Sequence, residues 1–329
     1  MSETVDCRNH SEPNSIDQID RNAVRFSSLE EMQAGSEAEG WSIEYRQLQA
    51  GALTARTVAG TCGNISLLDE YASQRLEIAG ETPQECVTVL VPACEGTEIR
   101  VNGKSLDCRS IFLLDSQSEC QTVTSQDTHV LSMHIAKSSL LETGRDLFET
   151  WEWRAGRDGT LIEYGGTQVQ HLRSLMHAAI YQPVNGHWQM EQASTLLSVL
   201  AAIINQGFGA QAQTKHTSAT ESLRTMRCAR EFVEANLTEP IQINEICSQS
   251  ATSVSKLERT FRRELRMSPS QYILVRRLDV ARRELKLASS NGNQIARIAT
   301  DCGFNHLGRF AGAYRTQFGE LPSETVRSS

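Results

Sequence analysis

From residue 41 to residue 137, apolar and polar positions alternate in short runs separated by turn residues, the period of half-buried strands. Runs at 86–91 (CVTVLV), 98–101, 111–114 and 130–135 predict strands. Asn102-Gly103 stands between two of them, and both residues tolerate positive φ, which predicts a two-residue hairpin. This half reads as a small antiparallel barrel or sandwich. The period then changes. Val169, Leu172, Leu175, Met176 and Ala179 recur at helical spacing within 168–181. Leu196, Leu197, Leu200, Ile203 and Ile204 do the same within 190–204. Two such helices after a β unit either pack on it or meet a second subunit; packing within the chain is the simpler expectation. Residues 206–220 (QGFGAQAQTKHTSAT) carry no period and read as a linker.

Beyond that stretch the chain contains an internal repeat. Ile243-x-x-Ile246 recurs 52 residues later as Ile295-x-x-Ile298, with Ala251 matched by Gly303. After one extra residue the offset becomes 53, pairing Phe261 with Tyr314, Arg262 with Arg315, Leu265 with Phe318, Pro269 with Pro322 and Ser270 with Ser323. Each copy reads as a short helix, a tight turn and a longer helix. In the first, 243–249 is the short helix and Ser253 is placed to cap the next one. Val254, Leu257, Phe261 and Leu265 form its apolar stripe, with Ser255, Glu258, Arg259, Arg262 and Arg263 opposite. Helix-turn-helix units insert such a polar second helix into the major groove. Between the copies, Ser268-Pro269 starts a helix running to about residue 287, with Ile273, Leu278, Ala281 and Leu285 on one face. Its length of roughly 27 Å suits a rod holding two reading units one turn of B-DNA apart.

Charge sharpens this picture. The net charge of -8 over 329 residues hides an asymmetry. Residues 221–329 hold 17 basic and 12 acidic side chains, a net +5, which leaves -13 on residues 1–220. A basic module beside an acidic body fits one domain that meets phosphates and one that does not. The expected organisation is a disordered tail at 1–22, a β-rich domain at 23–206, a linker at 207–220 and an all-α module at 221–329. No run approaches the roughly 18 apolar residues of a membrane span. The polar, acidic first twenty residues predict no secretory leader, so the expected location is the cytoplasm.

The stretches SKLERTFRRELRMSPSQYILVRRLDVARREL (255–285) and IARIATDCGFNHLGRFAGAYRTQFGELPSE (295–324) resemble the AraC/XylS family of bacterial transcription regulators. The likeness covers about 223–325. It implies an α+β fold: an N-terminal cupin-like β-barrel with flanking helices that binds an effector and dimerises, and a C-terminal all-α double helix-turn-helix module. The implied function is sequence-specific transcriptional regulation, with activation favoured over repression. The implied partners are promoter DNA, RNA polymerase, a small-molecule effector and a second copy of the chain. A regulator controlled by abundance or by a protein partner is the alternative. By the same resemblance Ser255, Glu258 and Arg259 are base-facing, with Arg259 foremost, since bidentate arginine to guanine is the commonest specific contact. Glu258 either accepts from a cytosine amino group or orients Arg259. Lys256, Arg262, Arg263 and Arg315 are expected at phosphates. In the second copy the reading surface is Leu307, Gly308, Arg309, Ala311 and Gly312. Many relatives carry Arg where Gly312 stands, and often Gly where Ala251 stands.

Other chemistry has little sequence support. There is no G-x-x-x-x-G-K and no G-x-S-x-G. His129 and His134, five apart on a predicted strand, point to opposite faces, and His171 and His177 share no helical face. No enzyme activity, metal or cofactor is therefore expected. The nine cysteines contain no C-x-x-C pair. Cys86, Cys94, Cys108 and Cys120 read as structural thiols rather than sensors, because no basic cluster lies near them in sequence. Cys247, Cys302, Phe310, Tyr314 and Phe318 read as core, and the four tryptophans as core or interface.

Overall fold

The computed structural model describes residues 23–38, 40–156, 158–163, 166–182, 187–211, 218–288 and 292–328. The expected tail at 1–22 lies outside the described residues. The chain divides into two compact units. The first comprises Met1–Glu44, Thr54–Ser73 and Ile78–Lys215; the second comprises Tyr45–Leu53, Gln74–Glu77 and His216–Ser329. Contiguous bounds of 23–206 and 221–329 do not anticipate the two short segments that join the second unit.

The strands are β1 (Ala23–Phe26), β2 (Ser42–Gln47), β3 (Ala55–Cys62), β4 (Ile65–Ala72), β5 (Leu76–Glu81), β6 (Cys86–Pro92), β7 (Ile99–Val101), β8 (Lys104–Leu106), β9 (Ser110–Leu114), β10 (Glu119–Val123), β11 (Thr128–Ala136) and β12 (Thr160–Glu163). They form a seven-stranded sheet, β1-β3-β4-β11-β6-β9-β12, and a five-stranded sheet, β2-β5-β10-β7-β8. A two-sheet arrangement is the cupin-like, jelly-roll solution to burying strand faces, and it does not close into one ring. The predicted hairpin is present: Asn102 and Gly103 have φ of 48° and 74°, joining β7 to β8.

The helices of the first unit are α1 (Leu29–Ala38), α2 (Lys137–Leu147), α3 (Gly166–Tyr181) and α4 (His187–Gln211). Strand β9 shows the layering, because all five of its residues are buried. Ile111 and Leu113 face a core shared with Val169, Leu172 and Met176 of α3 and Leu196, Leu200 and Ile204 of α4. Phe112 and Leu114 face Ile99, Val101 and Leu106 of the other sheet. Both amphipathic helices therefore pack on their own chain. Burying each such aliphatic side chain contributes about 1.5–3 kcal/mol.

Helix α4 continues through residues 207–211, which the sequence assigns to the linker. Gly207 reads as a flexible residue but serves close packing: a Cβ there would sit 2.4 Å from Ile162 Cγ2. Residues 212–217 of that stretch lie outside the described residues.

The helices of the second unit are α5 (Ser218–Ala235), α6 (Ile243–Gln249), α7 (Val254–Leu265), α8 (Pro269–Leu287), α9 (Gly292–Asp301), α10 (Leu307–Phe318) and α11 (Pro322–Ser328). Within it a buried charge network joins the short segments to the helices. Glu77, fully buried, meets Arg46 Nη1 at 3.3 Å and Arg230 Nη2 at 3.2 Å, and accepts a hydrogen bond from Tyr272 Oη at 3.3 Å. Arg276, 2% exposed, reaches Glu234 at 2.6 Å and Asp279 at 3.0 Å. Gln47 Nε2 donates to the Gln317 carbonyl at 3.0 Å, and Gln317 Nε2 donates to the Gln47 carbonyl at 2.8 Å.

Two predictions follow from burial. Glu77→Gln strands Arg46 and Arg230 beside a neutral amide, and should lower unfolding free energy by about 3–5 kcal/mol; urea denaturation checks it, and an unmoved midpoint would show the network to be energetically idle. The second concerns His134, whose Nδ1 lies 3.2 Å from Thr88 Oγ1. Burial pushes its pKa down to about 4, against about 6.5 unfolded. A depressed basic group gives stability that is present above the unfolded value and lost on acidification. Stability should therefore fall between about pH 6.5 and pH 4, and His134→Gln should flatten that limb in thermal unfolding.

Candidate nucleic-acid interface

Each reading unit is set by local caps and one apolar stripe. In the first, Gln242 N donates to Glu245 Oε2 at 2.8 Å, satisfying a donor at the start of α6. The turn passes through Ala251 at φ 47°. Ser253 Oγ then accepts from the Lys256 N–H at 3.3 Å and caps α7 as expected. Leu257, Phe261 and Leu265 are fully buried, so the helix is held by that face. Arg266, at φ 58°, ends it in the left-handed region. Ser268 and Gln271 form a reciprocal capping box that starts α8. This helix has 19 residues, about 28 Å, and buries Ile273, Leu278, Ala281 and Leu285 as the pattern predicts.

The second unit repeats the plan. The turn after α9 uses Gly303 at φ 80°, and α10 buries Phe310, Tyr314 and Phe318 before ending at Gly319, φ 78°. Leu278, Ala281 and Leu285 of α8 share a core with Ile298, Cys302, Phe310, Tyr314 and Phe318. Cys247 and Cys302 are buried, as expected.

The faces opposite these stripes carry the candidate readers. On α7, Ser255 and Arg259 are exposed and Glu258 is half-buried. Arg259 Nε donates to the Ser255 carbonyl at 3.3 Å. Glu258 lies 3.7 Å from Arg262 rather than orienting Arg259, because residues four apart lie over one another on a helix. Arg263 pairs with its neighbour Glu264 at 2.7 Å, and Lys256 with Glu221 at 2.5 Å; both remain at the surface. On α10, Leu307, Gly308, Arg309, Gly312 and Arg315 are exposed and Ala311 is half-buried. A Cβ at Gly308 or Gly312 would meet no atom within 4 Å. Each helical glycine costs about 0.5–1 kcal/mol relative to alanine, and packing in this chain does not require either one.

One residue departs from expectation. Val254, assigned to the apolar stripe, is 40% exposed at the start of α7. The 53-residue offset pairs it with Leu307, itself 49% exposed at the start of α10. The repeat register holds the signal that the apolar periodicity hides. Among the described residues no cluster of His, Cys, Asp and Glu could hold a metal ion, and no helix is long and apolar enough to cross a membrane.

A family described as a helix-turn-helix domain matches residues 246–328. Over 97 residues the chain is 40% identical to the XylDLEGF operon transcriptional activator of Pseudomonas putida, covering 30% of each protein. Over 93 residues it is 40% identical to the HTH-type transcriptional regulator ArgR of Pseudomonas aeruginosa, covering 28% of this chain and 27% of that one. A solved structure of a probable AraC family transcriptional regulator from Rhodopseudomonas palustris is 31% identical, covering 32% of this chain and 95% of that one, with a TM-score of 0.29. The chain thus spans about 30% of the length of the curated relatives it matches.

Two helix-turn-helix units sharing one long helix define a double helix-turn-helix module of the DNA-binding class. Over this module the chain is similar to transcriptional regulators of the AraC/XylS family.

The repeat also exposes an asymmetry. Where the second copy places Gly303 and Gly319, the first places Ala251 and Arg266, all four at positive φ. A left-handed residue with a Cβ costs about 1–2 kcal/mol. Gly303→Ala should lower stability by that amount, since its Cβ would also lie 3.0 Å from Arg277 Cζ. Ala251→Gly should leave stability unchanged or raise it by up to about 1 kcal/mol, strain relief being offset by unfolded-chain entropy. Denaturant unfolding of both variants checks this, and effects of equal sign would refute the account.

Proposed function

We propose that this chain is a cytoplasmic, sequence-specific regulator of transcription that binds promoter duplexes through both reading units. Activation is favoured because the matched relatives named above include an operon activator. The observation that carries the proposal is the pair of recognition helices, each anchored by a buried apolar stripe and each turning a polar or small-residue face outward. Ser255, Glu258 and Arg259 read bases on the first helix, and Leu307, Gly308, Arg309, Ala311 and Gly312 on the second. Lys256, Arg262, Arg263 and Arg315 meet phosphates, which fix register without specifying sequence. Val254 joins the surface beside Leu307 as an apolar contact for a thymine methyl. Lys256 leaves Glu221 when it takes a phosphate, an exchange between exposed ion pairs of small cost.

The first unit is proposed to bind a small-molecule effector and to pair two copies of the chain, so that ligand binding biases promoter occupancy or contact with RNA polymerase. Control by abundance or by a protein partner is the second reading. It is favoured by the packing between the sheets, where Val101, Leu106, Phe112 and Leu114 are fully buried against one another. Thermal shift against a metabolite panel separates the two readings, since only an effector series should stabilise the protein reproducibly.

The DNA reading is tested with the full chain on a selected duplex. Arg259→Ala should cost about 1–3 kcal/mol and relax preference at one base pair. Arg262→Ala should weaken binding on all sequences and reduce the salt slope by about one. Equal loss on every duplex for Arg259→Ala would reassign it to a phosphate, and an unchanged slope would remove Arg262 from the interface.

A further inference from the structure

One row of side chains in the first unit takes no part in the DNA reading. Strand pairing sets Arg25 of β1 opposite Arg56 of β3, Arg56 opposite Tyr71 of β4, and Tyr71 opposite His129 of β11. Paired residues, and those two apart along a strand, share a sheet face. Leu131, two positions from His129, belongs to the core under α3 and α4. The row therefore lies on the helix side of the seven-stranded sheet and reaches its β1 edge. Two carboxylates beside the row have partners of their own. Asp69, 1% exposed, lies 2.5 Å from His129 Nε2 through Oδ1, and its Oδ2 accepts from Tyr181 Oη at 2.5 Å. Asp127 Oδ1 accepts from Tyr71 Oη at 2.8 Å.

Like charges directly opposite on neighbouring strands are unfavourable, and here they flank a cavity. It measures about 250 Å³ and is lined by Arg25, Thr54, Ala55, Arg56 and Tyr71, all of the first unit. Arg25 and Thr54 are exposed and Arg56 and Tyr71 half-buried, so the cavity opens to solvent. We propose that it binds a small organic acid by its oxyanion group, carboxylate or phosphate. Arg25 and Arg56 hold the oxyanion from two strands, and Tyr71 and Ala55 line the wall that meets the carbon skeleton. The binding site stands by itself; that the acid is the effector rests on the effector reading above.

Charge and size both favour such a ligand. A guanidinium presents a planar fork of donors that matches carboxylate and phosphate oxygens, and a charge-assisted pair is stronger than a neutral one. An anion between the two arginines also turns their mutual repulsion into shared attraction. At roughly 30 Å³ per water, the cavity holds the volume of about eight waters. That suits a small acid and falls below the ~300 Å³ at which drug-sized sites begin. A DNA duplex is the other source of oxyanions. Residues 1–220 carry a net -13, which repels a phosphate backbone, whereas a small acid is held by the local field of the arginines.

The test modifies arginines of the full chain with phenylglyoxal and quantifies each by peptide mass spectrometry. Inorganic phosphate, succinate and chloride are compared at equal ionic strength, with the exposed Arg145 as a reference within the same molecule. Phosphate or succinate should slow modification of both Arg25 and Arg56 about fivefold at about four times its Kd, with Arg145 unchanged. Which of the two protects tells phosphate from carboxylate. Arg56→Gln should weaken the binding that protects Arg25 about tenfold, and Arg56→Lys, which keeps the charge, should restore part of it. If neither anion protects the unaltered protein, or Arg145 is protected equally, the proposal is overturned whatever the folding of the variants. Protection by a DNA duplex alone overturns it too. Promoter affinity measured with the protecting anion separates the two readings: protection with unchanged affinity upholds the site and removes its effector role.

Discussion

Everything the reading surface does depends on the buried rings of the two recognition helices. Phe261 in α7 and Tyr314 in α10 are fully buried at equivalent places of the repeat. Phe261 packs edge-on to Tyr272 at 5.6 Å between ring centroids, and Tyr314 packs against Phe318 at 4.8 Å. A helix has one orientation in which such a stripe is covered, so burying the ring also decides which residues face outward. Arg259 and Arg309 are exposed because Phe261 and Phe310 are not. Binding chemistry on one side of the helix is thereby a consequence of packing on the other.

The second unit adds a different constraint. Its helices enclose charges that belong, in sequence, to two segments far upstream. Glu77 lies between Arg46 and Arg230, and Gln47 exchanges hydrogen bonds with Gln317 of α10. A buried carboxylate is tolerated only where cations and donors surround it, so these partners hold one another in place. Asp279 marks the limit of such compensation, since burial pushes its carboxyl up to about 6 even with Arg276 at 3.0 Å. Residues 45–53 and 74–77 are in this sense part of the unit that carries the recognition helices.

Much of this was legible from residue order alone. The 52- and 53-residue offsets, the Ser253 and Ser268 caps and the Asn102-Gly103 hairpin depend on neighbours a few positions apart, and all three classes of signal appear in the structure. Failures came where a periodic signal was asked to decide a tertiary question. Val254 fits the apolar stripe of α7 but sits at the helix start, with too little chain around it to cover it. Gly207 suggests flexibility, although its missing side chain makes room for Ile162.

By itself the sequence determined the α+β class, the two helix-turn-helix units, their turns and the residue types offered outward, because caps, turn φ values and helical periods are local properties. Only the tertiary structure decided that Glu77 and Gln47 belong with the helices and that His129, Asp69 and Tyr181 meet. Those outcomes depend on strand register and on which charges can share a dry interior. Both are settled by long-range packing, to which residue spacing along the chain is blind.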